Sequence, residues 1–387
     1  MTDIVSIHRK EYEVGHGADD KIIVAEAPGC MHYLGDHGQL HDALYFSSSI
    51  DRTVQVAISL RKDTSMRFYS ADAGERKRAS LTSMRYKRED RWANYVKTAM
   101  LIFSEMGCKV RGLNVTVFGT IPKNLSLSCS HAIEVASALV LRRFFLSNMG
   151  DRELLGRLNA AHSSFFEGEN KVVEYLCIMY ARKNNFLFIN EEKFEVRRIR
   201  NPFSKYKIML FDSRVPLIDV ESELRLRRKE LEKGFQMLSK KRQGFSFKDY
   251  TPSDVDDLTG ALNEDVRRRS LFVVEEIMRI HEIEKAIHEK DTEAFARIIY
   301  HSHEGLRDMY EVSCPETDWL VKRAQEMPGI IGSRLTGKGF GGCTYAIIRD
   351  DLADEYQKKF DDYERIFGFR PVSYEVQPAA AARVLPG

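Results

Sequence analysis

The order of its periodicities limits this chain's fold more than any other feature. Residues 21–27 (KIIVAEA), 43–60 (ALYFSSSIDRTVQVAISL), 66–71 and 112–119 (GLNVTVFG) are rich in β-branched and aromatic residues, are bounded by Gly, Asp or Ser, and predict strands. Apolar residues at three- and four-residue spacing predict helices over 90–107, 131–148, 151–167, 219–243, 264–288 and 291–304. Strands dominate before about residue 120 and helices between 219 and 330, a segregated order that implies an α+β fold rather than strict β–α alternation. A chain of 387 residues is long enough for more than one core. We place a boundary near 210, with an N-terminal unit over 1–210 and a C-terminal unit over 211–387. The segment 239–253 (SKKRQGFSFKDYTPS) carries basic, Gly and Pro residues and predicts a solvated loop.

Charge and cysteine usage narrow the function. Fifty-nine Lys plus Arg against fifty-seven Asp plus Glu leave a net charge of +2, which supplies no global field for nucleic acid or an acidic membrane. An anionic ligand must therefore be held locally. The run Lys240-Lys241-Arg242 reads as helix-end solvation ahead of a nucleic-acid patch. No stretch of 18 apolar residues occurs and the chain opens on Met1-Thr2-Asp3-Ile4, so neither a membrane span nor an export signal is expected. The six cysteines (Cys30, Cys108, Cys129, Cys177, Cys314, Cys343) form no CxxC pair and suggest a reducing, cytoplasmic setting.

Three segments concentrate candidate chemistry. In 26-EAPGCMHYLGDHGQLHDALYFSSSIDR-52 a strand is expected to turn at Ala27-Pro28-Gly29 and continue through a polar loop holding Asp36, His37 and Asp42. Such a loop either meets a ligand or is a plain hairpin turn. In 122-PKNLSLSCSHAIEVASALV-140, Ser126, Ser128 and Ser130 precede an apolar helix, either as an N-cap cluster or as a phosphate cradle, since unpaired amides and the helix dipole point outward there. In 332-GSRLTGKGFGGCTYAII-348, Gly337, Gly339, Gly341 and Gly342 let backbone approach a ligand closely. Gly332 to Lys338 satisfy the opening of the phosphate-loop pattern, but Gly339 stands where Ser or Thr is required and a strand follows instead of a helix, so that motif is rejected. His301 and His303 are two apart on a helix and do not share a face.

In this order the three segments resemble the galactokinase branch of the GHMP small-molecule kinases. The first matches the form APGRxNLIGEHTDYxxG, the second PxGxGLSSSAALEVA without a gap, and the third GSRMTGGGFGGCT; 92-WANYVK-97 and 302-SHEGLRDMYEVSCPETDWLV-321 match as well. The resemblance implies a two-domain α+β GHMP kinase, with a ribosomal-protein-S5-like N-terminal domain and a ferredoxin-like C-terminal domain carrying the glycine motif at 332–343. It implies ATP with Mg2+ at the serine loop, a small sugar between the domains, Ser126, Ser128, Cys129, Ser130 and Trp92 as nucleotide-binding positions, and Ser130 as magnesium ligand. It also implies Asp36, His37, Gln39, Gly339 and Gly341 as sugar-binding positions.

Several of the family's working letters differ. The arginine of APGR falls on Cys30, and a thiol supplies neither a fixed positive charge nor a fork of donors. Counting back sixteen from Asn190, the catalytic aspartate falls on Glu174, a carboxylate carried one methylene further. A displacement of about 1 Å at such a position can cost about a hundredfold in rate. Ser126 stands for the glycine of GLSSS and Cys129 for its middle serine. The acidic metal ligand meets His162 or Ser163, and the tyrosine of SEYxxRR meets Leu224. Lys338 is the expected substitute cation. Two functions follow: a kinase acting on galactose or a related small sugar or polyol, or a catalytically impaired relative that binds a sugar or nucleotide as a sensor or scaffold.

Overall fold

The computed structural model describes residues 3–386 except 16, 18, 19, 38–43, 146, 147, 169 and 204. Two sheets organise it. The first has eight strands: β1 (Ile22–Leu34), β2 (Leu44–Leu60), β3 (Ser65–Ser70), β4 (Glu75–Ser80), β5 (Leu113–Gly119), β6 (Asn185–Asn190), β7 (Glu195–Arg200) and the C-terminal β12 (Arg383–Val384). The second has four: β8 (Tyr206–Asp212), β9 (Ile330–Thr336), β10 (Cys343–Arg349) and β11 (Val372–Val376), in the order β11-β8-β10-β9. Pairing is antiparallel except between β3 and β5. A division by sheets falls at 200–206, and β12 returns to pair with β1.

Among the described residues, twelve α-helices accompany the sheets: α1 (Ile4–Tyr12), α2 (Ala93–Glu105), α3 (Cys129–Phe145), α4 (Asp151–Phe166), α5 (Val173–Tyr180), α6 (Val220–Lys241), α7 (Pro252–Asp256), α8 (Glu264–Glu289), α9 (Thr292–Asp308), α10 (Pro315–Gln325), α11 (Ala353–Lys358) and α12 (Phe360–Phe367). α3 buries ten consecutive residues, Ala132–Leu141, and packs against β1, β2 and α2. A helix so enclosed is held by tertiary burial more than by propensity. Its N-terminus is therefore a fixed point from which a site can be built.

Two sequence expectations change. The strand beginning at residue 22 does not turn at Ala27-Pro28-Gly29; it runs on to Leu34, with a register shift between Pro28 and Gly29 that absorbs the proline's missing donor. A Cβ on Gly29 would lie 2.9 Å from the Leu127 carbonyl, so glycine is needed for the serine segment to lie against the strand. The segment 239–253 is likewise no freely solvated loop, because Phe247 and Tyr250 are buried in the cluster around Leu231, Leu238 and Phe272. Aromatic burial outweighs the surrounding polar letters.

Candidate active site

The serine loop carries backbone strain. Asn124, Ser126 and Ser128 all adopt left-handed backbone, with φ of 64°, 55° and 59°, while Leu125 and Leu127 between them are buried. A left-handed non-glycine residue costs roughly 1–2 kcal/mol, so the buried leucines and the bond from the Cys30 amide to the Leu127 carbonyl (3.2 Å) must hold the loop in place. Ser126 thus keeps a glycine-like conformation. The glycine loop meets it there: a Cβ on Gly337, at φ 82°, would stand 2.4 Å from the Ser126 Cβ. Gly339 and Gly341 are required in the same way, by the Val312 carbonyl and the Val215 side chain.

Glu174, in the first turn of α5, reaches the head of this loop. One carboxylate oxygen accepts from the Ser128 hydroxyl, and the other lies 3.1 Å from His32 Nε2. The opposite ring nitrogen of His32 is 2.6 Å from Ser47 Oγ on β2. Burial alone would raise the Glu174 carboxyl, but the charge and hydrogen bond of His32, then His131 and Ser128, outweigh it and hold the group well below the usual carboxylate range. Burial likewise pulls the His32 imidazole down, and the Glu174 carboxylate overrides it, leaving a net raised value. Cys30 lies two residues before His32 on the same strand and is fully buried. Burial and then the neighbouring Cys177 push its thiol up. The Cys30 sulfur, a His32 ring nitrogen and a Glu174 oxygen all lie within 4.8 Å of one another.

A second, buried network fixes the turn after β1. The Arg334 guanidinium, wholly buried on β9, binds Asp36 Oδ2 at 2.6 Å, Glu276 Oε1 at 3.0 Å and Ser302 Oγ at 2.8 Å. Asp36 Oδ1 accepts from the Gly337 amide at 3.2 Å, and the Asp36 carbonyl accepts from Lys171 Nζ at 3.1 Å. The Asp36 carboxylate is therefore already engaged. Lys171 lies over the Tyr45 ring, 5.5 Å from its centre. Burial lowers its ammonium against the opposing pull of Glu191, Glu174 and Asp36. His37 is buried with its ring 4.9 Å from that of Tyr310, and neither nitrogen has a hydrogen bond of regular geometry among the described residues. Burial, above all, drops its pKa to about 3, so the ring is neutral at physiological pH.

The remaining sequence-predicted positions are scattered around this centre. Cys129 begins α3 and burial pushes its thiol up to about 11. Ser130 Oγ lies 3.4 Å from His131 Nδ1. His162, one of the two residues expected where the family has an acidic ligand, lies 2.8 Å from Glu134 through its Nδ1, and the Tyr175 hydroxyl donates to the other Glu134 oxygen at 2.5 Å. Trp92 sits just before α2 and donates to Glu75 at 3.3 Å. Leu224 is buried on α6. Gln39 lies outside the described residues. Lys338 is about half exposed and its ammonium is paired with Glu221, so its charge is neutralised there and not placed on the Glu174 cluster. Sequence reasoning missed His32, Lys171, Arg334, Glu276 and Ser302. For His32 a signal existed: Cys30 and His32 alternate on one strand and face the same side.

Among the described residues, hard-oxygen donors near the serine loop include Glu174 and the hydroxyls of its serines, whereas Glu134 is held by His162 and Tyr175 and Asp72 by Lys123. That set fits a Mg2+ that arrives on nucleotide phosphates, since magnesium commonly takes one or two protein oxygens and fills its octahedron with phosphate and water. A surface cavity of about 280 Å³ lined by Tyr12, Arg61, Asp63 and Asn114 shares no residue with this centre.

Known proteins share the whole architecture. The galactokinase of Lactococcus lactis, determined in complex with galactose, matches with a TM-score of 0.90 at 23% identity over 99% of this chain and 100% of that one. The mevalonate kinase of Methanococcus jannaschii matches with a TM-score of 0.68 at 16% identity over 93% and 99%. The family described as "GHMP kinases C terminal" matches residues 283–364. The fold is thus the α+β fold of the GHMP kinases. In sequence, "Putative galactokinase" of Treponema pallidum (strain Nichols) is 35% identical over 100% of this chain and 97% of its own length. Galactokinase of Bacillus subtilis (strain 168) is 30% identical over 93% and 94%. The chain belongs to the galactokinase family.

Proposed function

We propose that the protein transfers the γ-phosphoryl group of ATP to a hydroxyl of galactose or a related small sugar or polyol, using a shifted set of catalytic groups. The observation that carries this reading is the placement of Glu174: a half-buried carboxylate against Ser128 at the head of the strained serine loop, with the Asp36–His37 turn reached through Lys171. Phosphoryl transfer depends chiefly on positioning and charge neutralisation. In the step, the acceptor oxygen bonds to the γ-phosphorus, the bond to the β,γ-bridging oxygen breaks, ADP leaves, and Glu174 orients and finally takes the hydroxyl proton. Ser130 and Glu174 would hold Mg2+, which would supply charge neutralisation on the phosphates. The free amides at the start of α3 receive phosphate oxygens.

The half-buried Lys171 is the cation we assign in place of the lost arginine and of Lys338. His37, neutral and with no hydrogen bond of regular geometry among the described residues, is suited to a sugar hydroxyl, because a buried ring nitrogen left unsatisfied is costly unless a ligand satisfies it. Gln39, Gly339 and Gly341 complete the proposed sugar side, and Trp92, Ser126 and Cys129 the nucleotide side. All six cysteines are free thiols, which supports the cytoplasmic setting we propose; no helix of the described residues is long and apolar enough to cross a membrane.

One observation favours the second reading, an impaired kinase that binds sugar or nucleotide. Both oxygens of Glu174 are engaged, and the carboxylate held by His32 is a weakened proton acceptor. A coupled ADP-release assay separates the two. Sugar-dependent ADP release that falls at least a hundredfold in Glu174→Gln supports the kinase. Nucleotide binding without sugar-dependent turnover supports the sensor.

A further inference from the structure

We propose that Cys30, His32 and Glu174 form a binding site for a thiophilic divalent cation of the Zn2+ class. Three positions that depart from the family's APGRxN and aspartate letters converge on one point, and their ligand atoms lie within 4.8 Å of one another. Thiolate, imidazole and carboxylate are the donor types of zinc sites, with bonds of about 2.3, 2.0 and 2.0–2.2 Å. For tetrahedral angles those lengths put nitrogen and oxygen ligands about 3.3 Å apart, and sulfur about 3.6 Å from either. The His32 Nε2 to Glu174 Oε1 separation is already 3.1 Å. The sulfur, within 4.8 Å of both, has to close in by up to about 1.2 Å to reach those lengths.

The supporting hydrogen bonds are also in place. Metal-binding histidines nearly always give their second nitrogen to a neighbouring oxygen, which fixes the ring. His32 Nδ1 does so with Ser47 Oγ at 2.6 Å, leaving Nε2 for the ion. Ser128 holds the far oxygen of Glu174, leaving Oε1. The nearest ammonium, Lys171, is offset by Glu191 and Asp36. Three protein ligands leave a fourth position for water or a substrate oxygen. Cys30 and His32 are nearly inaccessible while the Glu174 side chain is 19% exposed, so the ion enters from the Glu174 side. The inference stands on the cluster's geometry and not on turnover, although it engages the Glu174 carboxylate that the kinase reading uses as proton acceptor.

The test is cobalt titration of the full-length protein after chelator treatment, without nucleotide. Wild type is expected to take up one equivalent of Co2+ with a thiolate-to-cobalt charge-transfer band, to release it to Zn2+, and to keep it against excess Mg2+. Cys30→Ser should lose the band, and Ser47→Ala should keep the band while weakening affinity about 10- to 100-fold. Circular dichroism reports folding of each variant, and Ser47→Ala serves if Cys30→Ser does not fold. No stoichiometric cobalt in wild type, a band that persists in folded Cys30→Ser, or unchanged affinity in Ser47→Ala overturns the proposal.

Discussion

Replacing Arg334 by Met removes the cation at the centre of the buried network while preserving most of its volume. Two carboxylates then lose it, unequally. Glu276 retains Ser302, the Gly35 amide at 3.2 Å and Arg279 at 3.2 Å, whereas the Asp36 carboxylate retains, among the described residues, the Gly337 amide alone. Breaking a buried ion pair from one side costs about 3–5 kcal/mol, chiefly through the charge left behind. With an unfolding entropy of about 2.1 cal/mol/K per residue, 387 residues give about 0.8 kcal/mol/K, so the melting temperature should fall by about 4–6 °C. Differential scanning calorimetry reads this directly. Adding Asp36→Asn removes the stranded charge and should recover part of the loss, a coupling characteristic of neighbours. A melting temperature within about 1 °C of wild type for Arg334→Met, or a double variant below the single one, refutes the reasoning.

Three further outcomes follow from the site. Gly337→Ala forces a Cβ into left-handed backbone 2.4 Å from Ser126 Cβ, so it should cost about 2 kcal/mol or more and weaken ATP binding, as read by calorimetry and by nucleotide-induced thermal shift. Lys338→Ala should change stability by less than about 1 kcal/mol, because its pair with Glu221 is exposed on both sides; a large loss of nucleotide binding in this variant would restore Lys338 as the site's cation. His37 is held below its usual 6.5, at about 3, so the unfolded chain takes up the proton first as pH falls; the stability penalty begins near pH 6.5 and grows towards pH 3. The gap between wild type and His37→Gln in melting temperature should therefore shift against wild type between pH 7 and 5, and parallel curves would contradict a neutral, buried ring.

The fold was legible because its signals are local. Alternating and three-four periodicities, with the glycine motif, mark strands, helices and close approaches wherever they occur. β1 was misread at its middle because Pro28 and Gly29 are turn letters locally, and only the serine segment lying against them and the bulge opposite β2 make an extended path favourable. The Asp36–Arg334–Glu276 network escaped notice because its members are 298 and 58 residues apart, a separation no periodicity spans. Glu174 was found by counting along a motif. What it touches was not, because His32 reaches it from a strand 142 residues away. Lys338 was chosen as a cation by letter alone, and its pairing with Glu221 is a property of α6, which sequence cannot bring to the glycine loop.

The central claim, a small-sugar kinase working through Glu174, is tested most directly by the product. Wild type and Glu174→Gln are incubated with ATP, Mg2+ and galactose or a panel of related sugars and polyols, and the mixtures are resolved by mass spectrometry. The account predicts a sugar monophosphate from at least one acceptor, formed in step with ADP and at least a hundredfold slower in Glu174→Gln. Absence of any phosphorylated acceptor from a folded, ATP-binding wild type, or equal product from both proteins, would contradict it.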